Sequence, residues 1–176
     1  MNDYLLKFES NDGLCYGNYI DEVLYAYVPS GSSYYYAHDH LYSPVALITA
    51  SGTVAERYEY DAYGKATIMT NGYSLLTTSQ YANPYTFTGR RLDTLDSGGF
   101  NIMYYRHRYY DTETGRFLQQ DPLGLLLTAL SYKTFDLQKQ YRDGMNLYEY
   151  ASSQSVNFTD PYGLESMGSI GILPPP

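Results

Sequence analysis

Tyrosine recurs in this chain in clusters built on Tyr-Asp, Asp-x-x-Gly and Gly-Arg, and 24 of the 176 residues are Tyr. The clearest cluster is Arg57-Tyr58-Glu59-Tyr60-Asp61-Ala62-Tyr63-Gly64. A second is Tyr104-Tyr105-Arg106-His107-Arg108-Tyr109-Tyr110-Asp111, followed by Gly115-Arg116-Phe117, and a third runs from Tyr34-Tyr35-Tyr36 into His38-Asp39-His40-Leu41. Aromatic and charged residues alternate with period two, which puts Tyr on one face of a strand and polar groups on the other. The Asp-x-x-Gly that follows supplies a turn. Strand plus turn, repeated, predicts a repeating β-architecture.

The length suits one domain with a buried core. Aromatic residues make up 17% of it and Trp is absent, so Tyr does the packing. A ring carrying a hydroxyl suits half-wet surfaces, such as long single-layer sheets and the walls of hollow structures. An ordinary Tyr-rich sandwich is the competing architecture. The net charge of −8 offers no excess of cations to a phosphate backbone, which argues against nucleic acid as a partner. Arg90, Arg91, Arg106, Arg108 and Arg116 fall in one stretch, read as a solvated or salt-bridged face. The single Cys15 excludes an internal disulfide framework and gives no zinc site. Residues 1–6 lack the basic start and apolar run of a secretory signal. No apolar stretch reaches the ~18 residues of a membrane span, so no membrane insertion is expected. If the protein is exported, a longer precursor or another polypeptide must provide the signal.

Alternation and turn signals predict strands at 3–9, 19–28, 33–37, 44–50, 54–60, 67–70, 85–88, 147–150 and 156–159. Residues 101–111 form the longest candidate strand, and 71–83 read as a polar loop. Leu127, Leu130, Leu137 and Tyr141 recur at helical spacing, so 125–141 is the one good amphipathic helix. Residues 165–176, ending in three prolines, read as a short disordered tail.

Four segments line up in order. They are Tyr36-Ala37-His38-Asp39-His40-Leu41-Tyr42-Ser43-Pro44-Val45; residues 57–64; the stretch from Tyr104 to Asp121-Pro122-Leu123-Gly124; and Asn146-Leu147-Tyr148-Glu149-Tyr150 through Asp160-Pro161-Tyr162-Gly163-Leu164. Together they resemble the RHS repeat-associated core, the C-terminal end of Rhs and Tyr-Asp (YD) repeat proteins, over roughly residues 33–164. The resemblance implies an all-β fold: a Tyr-rich curved sheet of YD-type hairpins, a fragment of the end of an Rhs shell, with one inserted helix. It implies three regions: 1–32, part of an upstream β-repeat; 33–164, the core with an insertion at about 125–141; and the tail 165–176.

Members of that family wind a long sheet into a hollow shell around a toxin domain. The core closes one end, and in many members it cuts the chain after the Leu of the last Asp-Pro-x-Gly-Leu by chemistry resembling that of aspartic proteases. Matched residue by residue, the resemblance gives Arg108, Asp121 and Asp160 as the catalytic group and Leu164 and Glu165 as the cleavage site. Two carboxylates forced together cannot both ionise cheaply, so one serves as acid and its partner as base. Read as residues alone, Asp-Pro-x-Gly is equally a turn, with Pro fixing φ and Gly permitting a positive one. Residues 121–125 spell Asp-Pro-Leu-Gly-Leu as well, so spelling leaves open which copy is cut.

The chain departs from the pattern in four places. Residues 125–141 look inserted. Tyr42 stands where relatives have Gly, which is costly if the backbone needs φ > 0. Gln154-Ser155 replaces Asn-Pro. Only twelve residues follow Leu164, too few for a toxin, as in a shortened Rhs end.

The expected function is therefore a shell-end element of a polymorphic toxin system, structural in role, with or without self-cleavage after Leu164. Its partners would be the rest of an Rhs shell, or further copies joined through open strand edges, with a toxin or immunity protein. The alternative is a Tyr-rich module binding a glycan or a partner protein. His38 and His40 share a strand face as a candidate metal pair, but no third ligand can be placed, so neither a metal nor a cofactor is expected.

Overall fold

The computed structural model describes residues 7–9, 13–27, 33–96, 99–123, 141 and 144–168. The protein is nearly all β, and its strands pair antiparallel throughout. Among the described residues no helix is long and apolar enough to cross a membrane. Two compact units meet in sequence after Arg91, inside the stretch expected as one core. The expected helix at 125–141 lies outside the described residues, except for Tyr141 in a turn.

The first unit is one eight-stranded sheet in sequential order. It runs β1 (Lys7–Glu9), β2 (Leu14–Tyr16), β3 (Val23–Ala26), β4 (Tyr34–His38), β5 (Pro44–Thr49), β6 (Val54–Tyr60), β7 (Ala66–Thr70) and β8 (Leu75–Leu76). β8 falls within the expected loop 71–83. The expected strand at 85–88 is instead a single bridge, Tyr85 to Arg91, closed by a tight 3-10 turn at Phe87–Gly89.

One turn recurs along this sheet, at 39–43, 49–53, 61–65 and 70–74. In each, the first residue's N–H donates to the fifth residue's carbonyl and the fourth residue's N–H returns to the first residue's carbonyl, at 2.9–3.2 Å. The fourth residue takes a positive φ: Tyr42 at 64°, Gly52 at 82°, Gly64 at 89° and Tyr73 at 66°. This is a type I turn closed by a left-handed residue, which matches the twist of a hairpin. An Asp or Thr in first place completes it. Asp39 Oδ1 accepts from Leu41 N and Ser43 N at 2.8 and 2.9 Å, and Asp61 Oδ1 from Tyr63 N and Lys65 N, both at 2.9 Å.

Where Tyr replaces Gly in fourth place, its ring has a partner. Tyr42 stacks on Tyr19 with centroids 3.8 Å apart, and the Arg57 guanidinium lies 4.6 Å from the Tyr73 centroid. Left-handed backbone costs an ordinary residue ~1–2 kcal/mol, and an aromatic pair returns ~0.5–1.5 kcal/mol. Tyr42→Gly should therefore change stability by less than about 1 kcal/mol in urea unfolding, because strain relief offsets the lost stack. Tyr19→Ala, which loses the stack and relieves nothing, should cost about 1 kcal/mol.

The alternation fills one face of this sheet with rings. Tyr34, Leu47 and Tyr58 are buried, and Tyr36, Ala55, Tyr60, Ile68 and Tyr81 pack on them. Glu56 shares this face and is fully buried, contrary to the expected split between Tyr and charge. It is held by hydrogen bonds: Tyr58 OH donates to its Oε1, and the Gln80 N–H to its Oε2 at 2.8 Å. Asn83 extends the network, donating to Tyr58 OH at 3.0 Å and accepting from Tyr36 OH at 2.9 Å.

The second unit carries β9 (Leu92–Leu95), β10 (Phe100–Tyr104), β11 (Tyr109–Asp111) and β12 (Arg116–Phe117) in one sheet, and β13 (Phe158–Thr159) with β14 (Met167–Gly168) in another. β14 belongs to the expected tail, whose remaining residues from 169 lie outside the description. The single long strand expected at 101–111 is a hairpin, with Ile102, Met103 and Tyr104 opposite Asp111, Tyr110 and Tyr109. The cause is parity. Tyr105 and Tyr110 are five residues apart and would face opposite sides of a continuous strand, yet both are wholly buried. Arg106, at φ 63°, reverses the chain between them. The two rings then join Phe117 and Tyr150 in a cluster whose six centroid distances run from 4.6 to 5.7 Å. The expected strand at 147–150 is reduced to one bridge, Glu149 to Arg116.

Burial raises the phenol pKa of Tyr36, Tyr58, Tyr60 and Tyr150, with the Glu56 hydrogen bond adding to the rise at Tyr58 and the Tyr105 phenol to that at Tyr150. In the unfolded chain the same phenols ionise near pH ~10. Their contribution to stability is complete below that pH and is lost as pH rises from there towards the folded values. Alkaline titration should therefore show exposed tyrosines ionising first and the buried ones only with cooperative unfolding, as a second, hysteretic step in tyrosinate absorbance.

Candidate functional site

Arg108 closes the 105–108 reversal, its N–H-bearing side chain turned into the second unit, where 3% of it remains exposed. Its guanidinium lies 3.6 Å from the centroid of the Phe117 ring, so the aromatic cluster forms its floor. Nη2 meets Asp160 Oδ2 at 3.1 Å and Asp121 Oδ2 at 3.5 Å. Nε donates to the Gly163 carbonyl at 2.7 Å and Nη1 to the Leu147 carbonyl at 3.2 Å. The structure thus gathers Arg108, Asp121 and Asp160, from three separate segments, around one nitrogen.

Each aspartate divides its two oxygens between two tasks. Asp160 Oδ1 accepts from Leu164 N at 2.9 Å, closing the same kind of turn that recurs in the first unit, while its Oδ2 faces Arg108. Asp121 Oδ1 accepts from Leu123 N at 2.8 Å, while its Oδ2 again faces Arg108. Each Asp-Pro therefore serves its turn with one oxygen and leaves the other against Arg108. Gly163 is required at its place: φ is +67°, and a Cβ there would come within 2.5 Å of the Tyr105 carbonyl oxygen.

The stretch between the two aspartates is bridged at its base. Asp121 N donates to the Leu147 carbonyl at 2.9 Å, and Arg108 holds the same oxygen. Leu164 and Glu165 follow in the connection from β13 to β14, where Phe158 pairs with Gly168 and Thr159 with Met167.

Three residues beside the site were not singled out by sequence reasoning. Arg106 Nη1 donates to the Pro161 carbonyl at 2.6 Å, His107 Nδ1 lies 2.9 Å from the Tyr162 carbonyl, and Leu147 serves through its backbone. Arg106 and His107 directly precede Arg108 in the Tyr-Tyr-Arg-x-Arg motif, which was the available signal.

The arginine run is only partly a surface feature. Arg108 is buried between carboxylates, and Arg90 is buried against Asp21 at 3.1 Å. The candidate histidine pair does not stay on one strand: His38 ends β4 and His40 lies in the 39–43 turn. Burial lowers the His38 pKa, against the opposing charges of Glu22 and Asp39. Among the described residues, no three His, Cys, Asp or Glu side chains come together as a metal site.

No protein-family model matches the chain. Over 138 residues, 78% of its length, it is 32% identical to the uncharacterized protein YibJ of Escherichia coli and spans 48% of that protein. It is 30% identical, again over 138 residues, to double-stranded DNA deaminase toxin A of Burkholderia cenocepacia, of which it spans 8%. The chain thus covers less than half the length of these curated relatives. Among solved structures, the crystal structure of TcdB2-TccC3 matches 86% of this chain with a TM-score of 0.56 at 21% identity, over 6% of that chain's length. That likeness shows a shared fold.

Proposed function

We propose that this chain is the RHS repeat-associated core of an Rhs-type toxin protein, a shell-end element that cuts itself between Leu164 and Glu165. The observation that carries the reading is the guanidinium of Arg108, set between Asp121 and Asp160 while it grips the carbonyl of Gly163. The sequence likeness to a toxin and the fold shared with a TcdB2-TccC3 chain support the family.

In the proposed reaction one of the two aspartates is ionised and the other carries a proton, the division of roles that a pair of carboxylates around one guanidinium favours. The ionised carboxylate takes a proton from water as the water oxygen adds to the Leu164 carbonyl. The neutral carboxyl group gives its proton to the carbonyl oxygen. Collapse of the tetrahedral adduct breaks the C–N bond: the amine of Glu165 leaves with a proton from the first aspartate, and one hydroxyl of the adduct returns its proton to the second, which leaves Leu164 as a carboxylic acid and both aspartates as they began. Arg108 holds the pair and the preceding carbonyl in register, the kind of positioning on which such rates depend.

As a shell end, the element would join further strands at the outer strands of its eight-stranded sheet, β1 and β8. The second reading, a glycan- or partner-binding Tyr surface, rests on the exposed cross-strand pair Tyr104 and Tyr109, 5.4 Å apart. Intact-mass measurement separates the two. Loss of residues 165–176 on incubation supports the self-cutting core, and a full-length mass throughout removes the cleavage.

A further inference from the structure

Three consecutive residues hold three consecutive carbonyls ahead of the proposed cut. Arg106 Nη1 donates to Pro161 O at 2.6 Å, His107 Nδ1 contacts Tyr162 O at 2.9 Å, and Arg108 Nε donates to Gly163 O at 2.7 Å. A carbonyl can only accept, so His107 carries its proton on Nδ1. The His107 backbone N–H reaches the same Tyr162 oxygen at 3.3 Å, and the Arg106 guanidinium lies 5.5 Å from the Tyr162 centroid. Two amides of the segment are held as well: Gly163 N donates to Asp160 O at 3.3 Å, and Leu164 N to Asp160 Oδ1 at 2.9 Å. Arg106 reaches this position only through its left-handed backbone at φ 63°, a conformation that a non-glycine residue adopts at a cost.

We infer that Arg106 and His107 are positioning residues, which with Arg108 clamp residues 161–163 so that the next carbonyl, that of Leu164, is presented to the aspartate pair. This inference rests on the self-cleavage reading, and the bonds that carry it run to backbone carbonyls. Both residues act through the backbone of the segment to be cut. The clamp stops one residue short of the reacting carbonyl, which leaves that group to the chemistry. It also makes the substrate a fixed turn of this chain, and predicts that an added peptide of the same sequence is not cut.

The test follows the full-length chain after pulse-labelled cell-free synthesis, reading its intact mass over time. Arg106→Ala should slow the cut ~100-fold, as a displacement of about 1 Å does. His107→Ala should slow it ~10-fold, the worth of one hydrogen bond. His107→Asn, whose amide can donate from the place of Nδ1, should recover most of the rate. Urea midpoints should be alike in His107→Ala and His107→Asn, so that a difference in rate between them cannot come from stability. Amide exchange at Gly163 and Leu164, measured in an Asp121→Asn background to keep the chain whole, should speed up in Arg106→Ala and His107→Ala and not in His107→Asn. Variants that cut at the wild-type rate, or amides that exchange unchanged, overturn the inference. A wild-type chain that stays whole while the amides respond as described overturns the cleavage reading, and with it the use of the clamp in a reaction, although the exchange still reports the clamp itself.

Discussion

Arg108→Leu should destabilise the second unit by about 3–5 kcal/mol, the cost of leaving buried charge without its partner. The side chain is 3% exposed, and Asp160 and Asp121 are 1% and 6% exposed. Leucine fills part of the volume over Phe117 but returns nothing to the two carboxylates or to the carbonyls of Gly163 and Leu147. Urea unfolding at neutral pH, read by a probe in the second unit, gives the number. The triple variant Arg108→Leu, Asp121→Asn, Asp160→Asn should recover a large part of the loss, because no buried charge is then left unpaired. A loss below about 1 kcal/mol for the single variant would mean that the cluster is hydrated like a surface ion pair.

The second large effect is on the proposed cut between Leu164 and Glu165. Asp121→Asn and Asp160→Asn should each slow it on the order of 10³-fold, within the range for loss of a general acid or base. Asparagine keeps a carbonyl oxygen for the turn amides of Leu123 and Leu164, now served by Oδ1 of each aspartate. It presents an amide to Arg108 Nη2, where two donors meet. Alanine at either place removes the turn bond as well, so it should lose a further ~1 kcal/mol of stability for the same loss of cutting. Intact mass gives the rate and urea unfolding the stability. An Asn variant cut as fast as wild type would place the chemistry elsewhere.

Repetition made the first unit readable. Each turn needs an oxygen-bearing side chain in first place and a left-handed residue in fourth, and Asp-x-x-Gly writes both. The turn at 39–43 was less plain, because Tyr42 stands in the glycine position and His38 and His40 read as one strand face across it. The hairpin at 105–108 was not legible. Nothing in the alternation of 101–111 tells that Tyr105 and Tyr110 must reach one cluster, since that demand comes from Phe117 and Tyr150, far along the chain. Glu56 was hidden for a similar reason: a charge between rings reads as solvent-facing until Gln80 and Asn83 fold over it. For the site, the resemblance proposed Arg108, Asp121 and Asp160, and spacing alone could not have joined them. The bond from Asp121 N to the Leu147 carbonyl, which brings the segments together, leaves no trace in either motif.

The split use of each aspartate has a consequence for how such chains age. A mutation that removes either carboxyl side chain outright damages a turn and a buried ion pair along with any cutting. Selection for folding alone is enough to keep Arg108, Asp121, Gly163 and Asp160 in place, whether or not the chain is cut. An intact spelling of the motif therefore measures the need for a stable fold. Loss of the proposed reaction should first surface as drift to asparagine at one of the two aspartates, the change that keeps an oxygen for the turn amides of Leu123 and Leu164.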